Sequence, residues 1–126
     1  MKKTIQILAI AFFFLSSIGV YAQERQSTAK GSIGNKTTGS IKKSELVSAN
    51  KINLDIPSKK VTSFMLVIGT TEYNSTSNEL TPQMKTAISA ITKPTKIMFT
   101  KIIAKDVNNQ NAPNERVGDL KFSLEP

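Results

Sequence analysis

Apolar residues are arranged in three different ways along this chain, and each arrangement predicts something different. The first is a near-continuous run. Ile5 to Leu15 is interrupted only by Gln6, Lys2 and Lys3 precede it, and Ser16, Ser17 and Gly19 follow. A basic start, a short apolar centre and small residues at Val20-Tyr21-Ala22 form the order of a cleavable secretory signal peptide over 1–22, cut between Ala22 and Gln23. The rival is an uncleaved membrane anchor, since no charge occurs between Thr4 and Gln23 and about 20 apolar residues suffice to cross a bilayer. The strongly apolar part is much shorter than that, and its C-terminal third is small or polar. Cleavage is therefore expected, with no stable anchor afterwards. A lipoprotein anchor is excluded, because the chain has no cysteine.

The second arrangement is an absence. Gln23 to Ser40 is polar, with Ile33 as its single large aliphatic residue. Such a stretch buries too little apolar surface to offset the entropy of ordering it, so 23–40 reads as a flexible polar leader.

The third is dense and periodic, over 41–126. Leu46 and Val47 allow a short helical turn capped by Ser44. Ile52, Leu54 and Ile56 alternate with Asn53 and Asp55, the period of a strand with one buried face. Pro57 to Lys60 is a turn. Val61 to Thr70 then reads VTSFMLVIGT, with Phe64, Leu66 and Ile68 on one face and Met65 and Val67 on the other, which predicts a central strand covered on both sides. Thr71 to Asn78 is a polar loop. Leu80, Thr81 and Pro82 open a helix whose Met84, Ala87, Ile88 and Ile91 make one stripe, stopped by Pro94. Thr95 to Ala104 is a second two-faced strand, 106–116 a long polar loop, and Leu120, Phe122 and Leu124 a closing half-buried strand. Strands in series with one inserted helix predict a mainly β (α+β) domain, in its favoured form a small immunoglobulin-like β-sandwich.

Composition narrows the chemistry. Without His or Cys, Ser-His triads, cysteine nucleophiles and His- or Cys-ligated zinc are impossible. The acids lie at turns, loops or outward positions, not as a converging glycosidase pair. The loop from Asp106 lacks the carboxylates, Gly and terminal Glu of a calcium site. No enzyme and no cofactor are expected. Loss of the two signal-peptide lysines lowers the formal charge from +8 to +6. Lysine dominates that charge. Only Arg25 and Arg116 follow the signal peptide, and the phenylalanines look like core, so nucleic acid is not an expected partner. The lysines protect strand edges and can steer the domain toward an acidic protein or an anionic envelope surface. Tyr73, the one aromatic in a polar loop, is a candidate contact, as are Lys105 beside the second long strand and Arg116.

From Ser40 onward, five segments in order resemble the C-terminal domain of the GldM/PorM family of the Bacteroidetes type IX secretion and gliding machinery. They are Ser40 to Leu46, Val61 to Phe64, Leu80 to Met84, Ile97 to Ile102 and Val117 to Phe122. Thr95 stands where the family tends to have Gly, Lys101 where it often has an acid, and an Asn-rich loop replaces a short Gly-containing turn before the last strand, although Arg116 keeps the basic residue there. The family's membrane helix and earlier periplasmic domains have no counterpart here, so its motor-coupling role does not transfer. The resemblance implies a sandwich-like fold, no catalysis and a periplasmic protein partner of the kind the family's C-terminal domain contacts, a secretion-ring component. The alternative is a secreted or surface adhesin-like domain that binds carbohydrate or host protein.

Overall fold

A computed structural model of the chain describes residues 25–126; the expected signal peptide and its cleavage site at Ala22 and Gln23 lie outside the described residues. The elements run β1 (Arg25–Gln26), β2 (Gly31–Ser32), β3 (Thr38–Lys42), α1 (Lys43–Ala49), β4 (Asn53–Leu54), β5 (Lys59–Ile68), β6 (Thr71–Ser75), α2 (Pro82–Ser89), β7 (Thr95–Asp106), β8 (Glu115–Val117) and β9 (Leu120–Glu125). The fold is a sheet-rich α+β domain with sandwich-like layering. Its main layer is a seven-stranded sheet ordered β1-β8-β7-β5-β6, in which β9 also pairs with β7 and carries β3 on its far side. β1–β8 and β3–β9 are parallel; the other pairs of this sheet are antiparallel.

The hairpin between β5 and β6 is set by Gly69. Ile68 pairs with Thr71, leaving Gly69-Thr70 as a two-residue turn. Gly69 has φ 62° while Thr70 is not left-handed, the pattern of a type II′ turn with Gly first. Residues expected as a polar loop therefore form an edge strand.

One row of the sheet carries a crease that the alternation rule does not foresee. The inward residues of β5 step from Val61 to Phe64, those of β7 from Phe99 to Ile102, and those across β8 and β9 from Val117 to Leu120. Each step is three residues instead of two. The β5–β7 register shifts at Val61/Ser63 and again at Ser63/Met65, and the two shifts cancel. Lys101 takes φ 51° at this point, as the extra residue of a β-bulge does. Because neighbouring strands bulge together, every strand keeps its core residues on the same side. This explains much of the two-faced look of β7: Ile97, Phe99, Ile102 and Ala104 all point inward, and only Met98 and Ile103 put apolar groups outward.

The second layer covers one face only. It consists of α1, α2 and the two-stranded β2–β4 ribbon; Leu46, Met84, Ile88, Ile33 and Ile52 reach from it into the cluster around Phe99. The expectation of cover on both sides of the long strands is thus corrected. Val67, Met98 and Ile103 belong to no part of that cluster and are only half-buried, whereas Met65, on the same side, is buried outside the cluster. A single inserted helix is likewise corrected to two among the described residues. α1 begins after Lys42, whose N–H donates to Glu45 Oε1 at 3.3 Å, and not under a Ser44 cap. α2 follows the expected punctuation: Met84 N–H donates to Thr81 Oγ1 at 3.2 Å, and Pro82 opens the first turn.

Residues 25–40, expected as a flexible leader, are part of the fold. β1 pairs with β8, β2 with β4, and β3 begins at Thr38. Ala29 and Ile33 are buried.

The C-cap of α1 yields a prediction. Asn50 is left-handed at φ 63°, and its buried Oδ1 has no hydrogen-bond partner among the described residues. Gly suits this conformation without a buried amide to satisfy. Asn50→Gly is expected to stabilise the domain by about 1 kcal/mol, read from the urea midpoint.

Candidate interaction surface

Residues directly opposite each other on paired strands share a face, so the ladder registers define the uncovered side of the sheet. One row across it reads Glu72, Val67, Met98, Lys121 and Thr38. The adjoining rows place Lys96 opposite Ser123 and Ser123 opposite Ser40 on one side, and Asn74, Met65 and Thr100 on the other. Thr100 Oγ1 donates to Asp119 Oδ1 at 2.8 Å, which ties the bulged row to the β8–β9 junction. Val67 and Met98 are half-buried by their neighbours, whereas Lys96, Lys101 and Lys121 are exposed.

The surface is not flat. A shallow depression of about 570 Å³ lies over Val67 and Met98, walled by Lys96, Lys121, Thr38 and Ser40. Gly39 and Gly69, both with positive φ, also line it. An added Cβ at either would meet no atom within 4 Å, so backbone conformation, not crowding, requires glycine there.

The three candidate contact residues are not brought together. Lys105 and Arg116 lie near each other on the open face, since Arg116 is opposite Ile103 and Lys105 is two residues further along β7. Tyr73 is opposite Leu66 and so points to the covered side, where it packs on the core and lines a hollow with Pro82 and Ala87 of α2. Val67, Met98, Lys96 and Lys121 were not singled out by sequence reasoning. The outward parity of Met65 and Val67 was the available signal.

Among the described residues, no group of three or more His, Cys, Asp or Glu side chains could hold a metal ion, and no helix is long and apolar enough to cross a membrane. Among the described residues, two carboxylates are shifted from their ordinary value. Glu115 is held below its ordinary value near 4.5, first by a hydrogen bond from the Lys59 ammonium and then by one from Ser27, against the opposing effect of burial. Glu45 is lowered by Lys36, at 3.2 Å, and by the Lys42 N–H, but on an exposed surface. Neither group faces the depression; both act on stability. A carboxylate whose pKa falls on folding stabilises the native state fully above its unfolded value and loses that contribution as pH drops through the folded one. Stability should therefore decline as pH falls below about 4.5. Glu115→Gln is expected to flatten this decline and to cost about 1 kcal/mol at neutral pH, measured by denaturant titration at pH 7 and pH 3.

The chain matches no family model and no curated protein.

Proposed function

We propose that this chain acts, after export, as a non-enzymatic protein-binding module of the periplasm, associated with the type IX secretion and gliding machinery. The observation that carries the binding role is the open sheet face. Leaving Val67, Met98 and Ile103 half-exposed outside the core cluster forgoes about 25 cal/mol for each Å² of apolar area that a second layer would remove from water. A partner recovers that burial. Two sheet edges, β6 and β3, add unpaired backbone groups beside the same surface. The link to the secretion machinery rests on the resemblance to the GldM/PorM C-terminal domain. Its five segments fall on β3–α1, β5, the start of α2, β7 and β8–β9, the framework that holds this face.

Fractionation of the native cells tests location, and co-purification with the assembled secretion ring tests association. The mature chain is expected in the periplasmic fraction and with the ring. Recovery from the medium or the cell exterior would instead support the adhesin-like role, and absence from purified rings would remove the link to that machinery.

A further inference from the structure

Resting on the reading of the open face as protein-binding, we infer that its occupant is an acidic protein surface with an apolar side chain at its centre, seated over Val67 and Met98. Charge and shape on the face both lead there. The depression has an apolar floor, and Lys96 and Lys121 stand at its wall. Both ammonium groups are exposed, and the ion pairs found among the described residues, Lys36–Glu45 and Lys59–Glu115, involve neither. Further along the same face Lys60 lies directly opposite Lys105. Like charges in register across a ladder are destabilising, and acidic groups laid over them turn that cost into attraction.

The same charges decide against other occupants. A second copy docked face to face would set Lys96, Lys121 and Lys101 against their own kind, and like-charge juxtaposition suppresses association. A uniformly anionic membrane would gain nothing from Glu72, which begins the Val67–Met98 row, or from Asp119, which is fixed by Thr100. A basic field broken only by Glu72 and Asp119 matches a folded, predominantly acidic partner that can place its carboxylates over the lysines and keep them off those two acids. The depression is bounded by Lys96, Lys121, Thr38 and Ser40 over an apolar floor of Val67 and Met98, a seat for an inserted apolar side chain with charged groups at its rim. The partner therefore contributes a central apolar anchor with acidic residues around it, the arrangement in which hot-spot residues are ringed by polar contacts.

The first test titrates the purified mature chain with a synthetic peptide of alternating Glu and Leu, with Lys–Leu and all-Glu peptides as controls, and with phosphatidylglycerol vesicles. The Met98 and Val67 methyl resonances are followed. The Glu–Leu peptide is expected to shift both, to bind at least tenfold more tightly than either control, and to weaken about tenfold between 50 and 300 mM salt, as screening requires. The double variant Lys96→Glu/Lys121→Glu, which changes only exposed side chains and should melt like the parent, is expected to lose at least tenfold in affinity. Equal response to the Lys–Leu peptide, stronger binding to the vesicles, self-association through this face, or no methyl shift would overturn the inference. In cells, Val67→Arg and the double lysine variant separate the two levels of the argument. Loss of co-purification with the ring in both supports both. Loss in Val67→Arg alone keeps the binding face but refutes the acidic partner, and loss in neither refutes the face itself.

Discussion

Phe99→Ala is expected to destabilise the domain by about 3–5 kcal/mol and to lower its Tm by roughly 12 °C or more. Phe99 is completely buried. Its ring lies 5.8 Å from that of Phe64, tilted by 57°, and 6.2 Å from that of Phe122, nearly edge-on at 80°. Both are preferred aromatic geometries, which add to the area term. Phe99 is flanked in register by Leu66 on β5 and Leu120 on β9, and it shares a cluster with Met84 and Ile88 of α2. One truncation thus opens a cavity where three strands and the covering helix meet. The chain has no cysteine and so no disulfide to limit the unfolded state. Against the roughly 5–10 kcal/mol that a domain of this size can muster, such a loss leaves a marginal fold. Met98→Ala, one residue away on the open face, is the control, expected to cost under about 1 kcal/mol. Similar costs for the two would contradict the one-sided layering.

How much of this could be read beforehand depended on whether a local rule governed the element. β9 was legible because Leu120, Phe122 and Leu124 alternate without interruption. α2 was legible because Thr81 and Pro82 satisfy its first turn whatever surrounds it. The long strands were found, but their faces were misassigned in part. Period-two reasoning assumes an unbroken pleat, and the bulge at Lys101 exchanges parity halfway along β7. Apolar residues on alternating parities then imitate burial on both sides. β6 was missed because Thr71 to Ser75 has little apolar content to display; pairing with β5 through the Gly69 turn makes it a strand. The open face was partly legible in Met65 and Val67, yet whether a second layer covers such residues is a tertiary fact that spacing does not carry. The charges beside it come from β7 and β9, and only their register places Lys121 against Met98.

The segment before β3 gives the sharpest case, and with it the second large prediction: Ile33→Ala is expected to cost about 2–4 kcal/mol. Composition argued that one aliphatic residue among so many polar ones could not order the stretch. That argument counts only the apolar area the segment brings, and omits the surface the rest of the domain offers it. Ile33 is fully buried within the same cluster as Ile41, Leu46 and Ile52. It is delivered there by a tight turn: Ile33 and Lys36 exchange backbone hydrogen bonds of 3.0 Å in both directions, and Gly34 and Asn35 between them have φ 60° and 62°, the two left-handed residues of a type I′ turn. Just upstream, Gly31 brings the backbone so close to the core that an added Cβ would lie 3.5–3.7 Å from the side chains of Ile52, Leu120 and Val117. The Lys30 N–H donates to Asp55 Oδ1 at 2.8 Å, which pins the ribbon from outside. A flexible leader would show an Ile33→Ala effect within about 0.5 kcal/mol of zero and rapid tryptic cleavage after Lys30 and Lys36. An integral strand-and-turn segment shows the large loss, together with protection of both lysines until global unfolding. Urea denaturation and limited proteolysis of the mature chain distinguish the two outcomes, and a small effect with early cleavage would return residues 25–36 to the status of a tether.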